Sequence, residues 1–520
     1  MSVNNEQVLK IGDGSGWSFL NGPVWVDGSD GELLPPDKGG KEYFAVVRDL
    51  EFSDVSARFR FRYRTGIGGV RFLFRLQDSM RYYAFDIPWG GQQSRNRHFW
   101  AGIVLADGTP LQRYLHFGLV NGICPEPQRW YEGRIECVGG RIRAWIDGRP
   151  AAEIEDSTYS SGRVGLMSQV TAYKEGVPEF ADVRVQGTVV DQSPWNGLEE
   201  TPQYWVTPCR EVDPETYQSY PAMIQSKSGD ITVSSPFGNP NYPGPTRYVW
   251  VRSADGGRSW SDSEPAPEHF PHILGASFVK NDGTWVIIHC HDDVPPQEQL
   301  YTVESADEGK TWSEPKTMQF EGDWPKEYTS SGGPTGQPFR LRDGTIIVPL
   351  STSVINPPAV SPTGTDFVVR SSNDGETWSS PVRCDRNNTD NPDHWHSSPE
   401  FNEMGMAEGR DNEIIGFARP GPWPFMWQVR SIDGGRTWDP ASFAPFPGYC
   451  SSLTSTKSGA LVAIHRFPYL GANLSWDGGA TWDQGTILDY VYWSNHQALE
   501  VEPDVVLVLY MGHIVDPGQA

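Results

Sequence analysis

The sequence predicts an all-β protein in two parts: a β-sandwich over residues 1–187 and, after a linker at 188–203, a β-propeller over 204–520. Three observations carry this reading. The composition sets 21 Trp, 20 Tyr and 23 Phe among 55 Gly and 43 Pro, and between those breakers no long stretch keeps the apolar period of a helix. Segments before residue 188 alternate polar and apolar with period two. After residue 250, five copies of one short motif recur.

The first part is built from strands with one face in a core. Arg58-Phe59-Arg60-Phe61-Arg62-Tyr63-Arg64, then Val70 to Arg75, then Arg81 to Asp86 show the alternation. Trp130 to Cys137 turns at Gly139-Gly140 into Arg141 to Gly148, and Gly162 to Met167 and Phe180 to Val185 close the set. This order resembles a concanavalin- or laminin-G-like (jelly-roll) β-sandwich, a module often attached to glycan-processing enzymes. Trp89, Arg95, Arg97, His98 and Trp100 read as a loop with two roles open: stacking and hydroxyl contacts to a sugar, or docking against another domain. Residues 188–203 carry Pro194 and Pro202 without alternation and read as the linker, so 204–520 are expected to fold alone.

The repeated motif occupies 253–260, 305–312, 371–378, 431–438 and 475–482, and every copy fits S-x-D/N-x-G-x-S/T-W. Its chemistry is that of a fastened hairpin turn. The Asp or Asn side chain caps turn amides, the Gly supplies positive φ, and the Trp packs beneath. Successive Trp residues lie 52, 66, 60 and 44 apart, which suits one four-stranded blade per motif rather than a helical solenoid. The motif resembles the Asp box of the sialidase superfamily of six-bladed β-propellers. That resemblance implies a box between the third and fourth strands of each blade, and blades opening near Tyr220, His272, Gly333, Phe401, Tyr449 and Ser494. The last lacks a box and is expected to close with a strand near 203–210.

In such a propeller the site lies where the innermost strands start and the second strands finish. The windows there hold Tyr220 and Asn239; His272, His289, His291, Asp292 and Asp293; Thr335, Gln337 and Thr352; Glu400, Glu403 and Arg419; Tyr449, His465 and Arg466; and Asn495, His496 and His513. His and Tyr are also common at strand ends as satisfied polar tips. His289-Cys290-His291-Asp292-Asp293 has metal-binding side chains but no tight ligand motif, and no cofactor is expected. Asn402-Glu403, with Arg419 sixteen residues later, matches how the superfamily sets its Glu beside a substrate-binding Arg. In that family the Glu polarises a Tyr nucleophile and three Arg clamp the sialic acid carboxylate. The rest departs. Ser219-Tyr220-Pro221 stands where the family has Arg-Ile-Pro, and 236–246 contains no acid Asp. The Tyr of the last blade is replaced around Trp493-Ser494, and a third Arg is absent before Asn473 unless Arg466 substitutes. A typical sialidase is therefore not expected.

The expected function is glycan cleavage by an exo-acting glycoside hydrolase on a non-sialic sugar of a plant or microbial polysaccharide. Glu403 and Asp292 are the carboxylate pair, with Glu400 in reserve. Arg419, His272, His289, His291, Tyr220, Gln337, Tyr449, His465, Arg466 and His496 are the candidates to hold the substrate. Two alternatives stay open: a polysaccharide lyase in which His or Tyr abstracts the C5 proton of a uronic acid while Arg neutralises its carboxylate, and a non-catalytic glycan-binding propeller. The formal charge of −24 opposes binding to nucleic acid or an anionic membrane. Cys124, Cys137, Cys209, Cys290, Cys384 and Cys450 show no CxxC spacing and read as thiols. Met1-Ser-Val-Asn-Asn-Glu has no signal-peptide pattern, which predicts the cytoplasm if Met1 is the native start. The sequence leaves the oligomeric state open.

Overall fold

The computed structural model describes the chain outside residues 1, 12–13, 21–24, 29–30, 36–41, 64–66, 91–98, 110, 170–177, 194, 196, 199–221, 238–246, 268–275, 292–293, 326–332, 355–362, 385–401, 420–424, 450, 491–495 and 511–520. The described chain is β apart from short 3-10 turns at Ala276 and Pro296–Glu298.

The N-terminal strands form two antiparallel sheets that enclose one aromatic core. The first runs in the order Arg149–Glu155, Arg141–Ile146, Tyr131–Val138, Glu51–Tyr63, Pro178–Asp191, Glu32–Leu34, Val26–Asp27. Along Glu51–Tyr63 the alternation works as anticipated. Ala57, Phe59, Phe61 and Tyr63 are buried while Arg58 and Arg60 face out. Phe59 stacks on Phe72 of the second sheet, with ring centroids 5.3 Å apart.

The second sheet does not alternate, because both of its faces are covered. Its strands run Trp17–Leu20, Glu42–Val47, Arg163–Gln169, Ile67–Asp78, Arg81–Gly90, Phe99–Asp107, Gln112–Val120. The sheet then continues into the C-terminal half. Gln112 and Arg113 pair with Ile487 and Thr486, the outer strand of a four-stranded ladder made by Ser451–Ser455, Leu461–Arg466, Leu470–Ser475 and Thr486–Asp489. The outer face buries Leu73, Tyr82, Val104 and Tyr114 against Tyr469 and Ile487, with Trp195 and Leu198 packed alongside. Part of the stretch read as a linker is thus docked: Ser18 Oγ donates to the Trp195 carbonyl, and Arg163 lies 4.9 Å over the Trp195 ring.

At the centre of this junction is a buried ion pair. Arg71 Nε donates to Asp86 Oδ1 at 2.8 Å, both side chains being inaccessible to water. Tyr114 and Tyr469 donate their hydroxyls to the same carboxylate at 2.5 and 3.2 Å, and Arg71 Nη1 reaches Gln112 and Tyr490. A buried charge needs such a shell of partners, and this shell draws on both halves of the chain.

The C-terminal half has a propeller-like arrangement. Four separate four-stranded sheets start with Ala222–Gln225, Ser277–Val279, Phe339–Arg340 and Asn402–Glu408, the ladder at 451–489 comes fifth, and the hairpin His496–Glu502/Val505–Tyr510 follows. Each neighbouring pair shares a core: Ala222 and Trp250 with Trp285, Val286 with Trp378, Ile347 with Ile414, Ile415 with Leu461, and Ile464 with Ala498. Met223 and Val251 then pack with Leu509 of the final hairpin, and Arg258 Nη1 donates to Glu502 Oε1 at 2.7 Å. The final hairpin therefore returns to the first sheet.

The repeated motif sits where anticipated, after the third strand of each of these five sheets. In the fourth copy Asp433 Oδ1 accepts from the Arg436 and Thr437 amides at 3.0 and 2.9 Å, Oδ2 accepts from the Thr437 hydroxyl, and Ser431 Oγ accepts from the Gly435 amide. Gly434 and Gly435 have φ of 69° and 80°, the region glycine enters without cost. These bonds hold Asp255, Asp307 and Asp477 down at about 2. Asn373 makes the same turn without a charge, its Nδ2 donating to Thr377.

Candidate functional site

In the fourth sheet the strand Ile414–Arg419 has two different ends. Ile414 pairs with Ser431, where the repeated turn begins, whereas Arg419 pairs with Asn402 at the opposite end. Between Asn402 and Gly405 the register slips, and Glu403 takes φ of 49°. A β-bulge turns a side chain away from the pleat direction, and a non-glycine residue in the left-handed region costs free energy that its surroundings must offset.

What surrounds Glu403 is cationic. Arg419 Nη1 donates to Glu403 Oε2 at 2.6 Å, and Arg466 Nη2 lies 3.6 Å from the same oxygen. Arg466 ends the strand Leu461–Arg466 of the fifth ladder, so the cluster bridges two sheets. Its amide donates to the Tyr449 carbonyl at 3.1 Å. The Tyr449 ring lies 4.6 Å from the Arg419 guanidinium and 5.2 Å from that of Arg466, within cation–π range of both. Burial pulls the Arg419 pKa down, but Glu403 and Tyr449 outweigh it and the net direction is up. Nε of Arg419 has no hydrogen-bond partner among the described residues.

Four sequence-derived candidates therefore converge: Glu403, Arg419, Tyr449 and Arg466. Four others, Tyr220, His272, Asp292 and Glu400, lie outside the described residues, as do Asn239, Asp293, Asn495 and His513. The remaining ones have other partners. His465 is buried, pairs with Asn473 at 2.7 Å and stacks on Phe446; burial pushes its pKa to about 4 against the upward pull of Asn473, so the ring is neutral at ordinary pH. His496 is buried with Nε2 2.9 Å from the Ile464 carbonyl. His289 and His291 stack on Tyr301 at 5.3 and 4.1 Å. Among the described residues no three His, Cys, Asp or Glu gather as metal ligands.

Gln337 is half-buried on a loop that passes the bulge. A Cβ on the neighbouring Gly336 would come 2.1 Å from the Met404 carbonyl oxygen, so only glycine lets that loop approach so closely. Sequence reasoning passed over Gly336; its Thr335-Gly336-Gln337 setting was the available signal.

Of the two roles open for the 89–100 loop, Trp100 takes the docking one, and it does so from a strand and not a loop. It lies in the strand Phe99–Asp107, is 4% exposed, and packs in one buried cluster with Tyr449 and Phe467. The Trp89 side chain and Arg95, Arg97 and His98 lie outside the described residues.

Comparison with known proteins gives two family matches. Residues 293–491 match a family described as a BNR repeat-like domain, and residues 10–185 match a 3-keto-alpha-glucoside-1,2-lyase-like domain. No curated protein matches. Similar solved structures include a protein of unknown function from Dyadobacter fermentans, 17% identical with a TM-score of 0.47 over 58% of this chain and 92% of that one. The NanB sialidase of Streptococcus pneumoniae is 11% identical with a TM-score of 0.43 over 93% and 95%. A Hadza microbial sialidase is 14% identical with a TM-score of 0.46 over 94% and 95%.

Proposed function

We propose that this chain, a BNR-repeat β-propeller of the sialidase superfamily joined to a β-sandwich, is a carbohydrate-active enzyme whose site is built on Glu403. In this reading it is an exo-acting glycoside hydrolase for a non-sialic, uronic-acid-bearing sugar of a plant or microbial polysaccharide. The propeller is read as six-bladed, which the shared core between the final hairpin and the first sheet supports. The domains keep the bounds 1–187 and 204–520.

The observation that carries the reading is Glu403 in left-handed backbone at a bulge, held by Arg419 and approached by Arg466. Such a conformation costs on the order of 1–3 kcal/mol and persists where its surroundings over-determine it, as the two guanidiniums do here. A carboxylate held by guanidiniums suits a nucleophile or base and leaves proton donation to a group across the bond. Asp292 keeps that part, with Glu400 in reserve. Arg419, beside the buried Arg466 over the same Tyr449 ring, offers a seat for a sugar carboxylate. Sialosides are excluded from the proposal because Ser219-Tyr220-Pro221 supplies no third arginine.

One observation favours a second reading. In it Tyr449, whose ring lies under both guanidiniums, acts as the base for elimination from a uronate, the carboxylate being neutralised by the arginines. A single screen separates the two. Uronate-terminated glycans, glycans with internal 4-linked uronates, neutral glycans and sialylated glycans are incubated with the protein, and released sugar and ultraviolet absorbance are followed. Release from the uronate-terminated glycan without new absorbance is expected. New absorbance would make the enzyme a lyase, release of sialic acid would overturn the non-sialic specificity, and intact binding alone would leave a glycan-binding propeller.

A further inference from the structure

We infer that the β-sandwich is a positioning half of the Glu403 site, acting through Trp100, and not a separable glycan-binding module. The inference rests on the reading of that site given above. Trp100 stands on a strand every residue of which from Phe99 to Ala106 is buried, so it is fixed by the second sheet rather than by a loop. Its ring stacks on Phe117 at 5.6 Å and meets Phe467 edge-on at 5.7 Å. Phe467 follows Arg466 directly in the chain, and Tyr449 completes the buried cluster. Tyr449 is the ring beneath both guanidiniums. A contiguous line of packed groups therefore runs from the sandwich to the Glu403 carboxylate.

The line has no slack at its sandwich end. The Gln112 and Arg113 pairing with Ile487 and Thr486 fixes the two halves in one sheet, and the Arg71–Asp86 pair with its tyrosines locks the face beside it. Removing the indole opens a void next to Phe467 and Tyr449, and close-packed interiors respond to voids by shifting neighbours. The neighbours that can shift here carry Arg466 and Tyr449. Trp100 touches no substrate in this scheme; it is a positioning residue.

The test uses the full chain with Trp100→Ala, Trp100→Phe and, should the alanine variant not fold, Trp100→Leu. Hydrogen exchange of the peptides bearing Tyr449 and Arg466 is compared with that of the turn at 253–260. At least about tenfold faster exchange at the first two in Trp100→Ala, no change at the turn, and near-complete rescue by phenylalanine are expected. Unchanged exchange around Tyr449 in a folded Trp100→Ala or Trp100→Leu protein overturns the inference. D-glucuronate serves as the binding probe. Its affinity is expected to fall about tenfold in the alanine variant and to stay within about threefold in the phenylalanine one. If wild-type protein does not bind glucuronate while the exchange pattern appears, the functional reading fails and the positioning role stands. If glucuronate binds wild type and every folded variant alike, the positioning role fails and the functional reading stands.

Discussion

The two ends of the fourth sheet are held together in opposite ways. At one end eight consecutive residues satisfy each other, with Asp433 and Ser431 taking the amides of their own turn. At the other end Glu403 meets Arg466 from the next sheet, and Tyr449 behind it rests on a cluster that includes Trp100 of the sandwich. The first kind of structure can be copied along a chain, and five copies exist. The second is assembled once, from groups hundreds of residues apart. Local closure gives a scaffold; long-range closure gives a site, and each half of the molecule depends on the other for it.

If long-range closure dominates, removing the sandwich should do the most damage. Residues 204–520 alone are expected to be insoluble, because Tyr469, Ile487 and Tyr490 would lose the face they pack on. This reverses the expectation drawn from the linker composition, and a soluble, cooperatively melting 204–520 segment would break the comparison. Next comes Asp86→Ala, which strands the buried Arg71 cation. A loss of about 3–5 kcal/mol is expected in denaturant unfolding, and a change under about 1 kcal/mol would mean the junction is not tightly closed.

Glu403→Gln should lower turnover by at least ~100-fold while leaving the unfolding midpoint unchanged within error. Full activity in that variant would move the chemistry elsewhere, to the segments around His289 and His291. At the locally closed end, Asp433→Ala is expected to cost on the order of 1 kcal/mol by removing capping bonds, with turnover intact. A normal melting temperature would count against the turn as a fastening.

The smallest effect is in acid. Asp255, Asp307 and Asp477 have folded pKa values of about 2, below the ordinary value. The stability they contribute is present above about pH 4 and is lost as pH falls toward about 2. Replacing all three by Asn, as position 373 already has, should shift the acid unfolding midpoint downward by a few tenths of a pH unit. A midpoint that does not move would show that the carboxylates are not linked to folding.

Legibility in the sequence follows the same division. The turns were readable because their whole chemistry lies within eight residues. Glu403 and Arg419 were readable because one hairpin joins them, with Asn402 opposite Arg419. Arg466 could be named as a strand-end candidate but not paired with Glu403, since its approach depends on how two sheets meet. Trp100 is harder to place, because Phe99 to Ala106 is covered on both faces and such a strand shows no alternation to identify it. His465 and His496 were drawn in by their strand-end positions, and what the sequence could not show is that Asn473 and the Ile464 carbonyl already hold them.

The ladder between Arg113 and Thr486 also sets a timetable. The two residues are 373 positions apart in the chain, so at a synthesis rate of about 5–20 residues per second the strand at Arg113 waits roughly 20–75 s for its partner to be made. Through that interval the edge at Gln112 is open, and the Arg71–Asp86 pair lacks the hydroxyls of Tyr469 and Tyr490. An unpaired strand edge is a template for other chains. The newborn protein is therefore most vulnerable late in synthesis, with its first half folded and its seal not yet translated, and its yield in a cell should depend more on chaperone supply than its finished stability suggests.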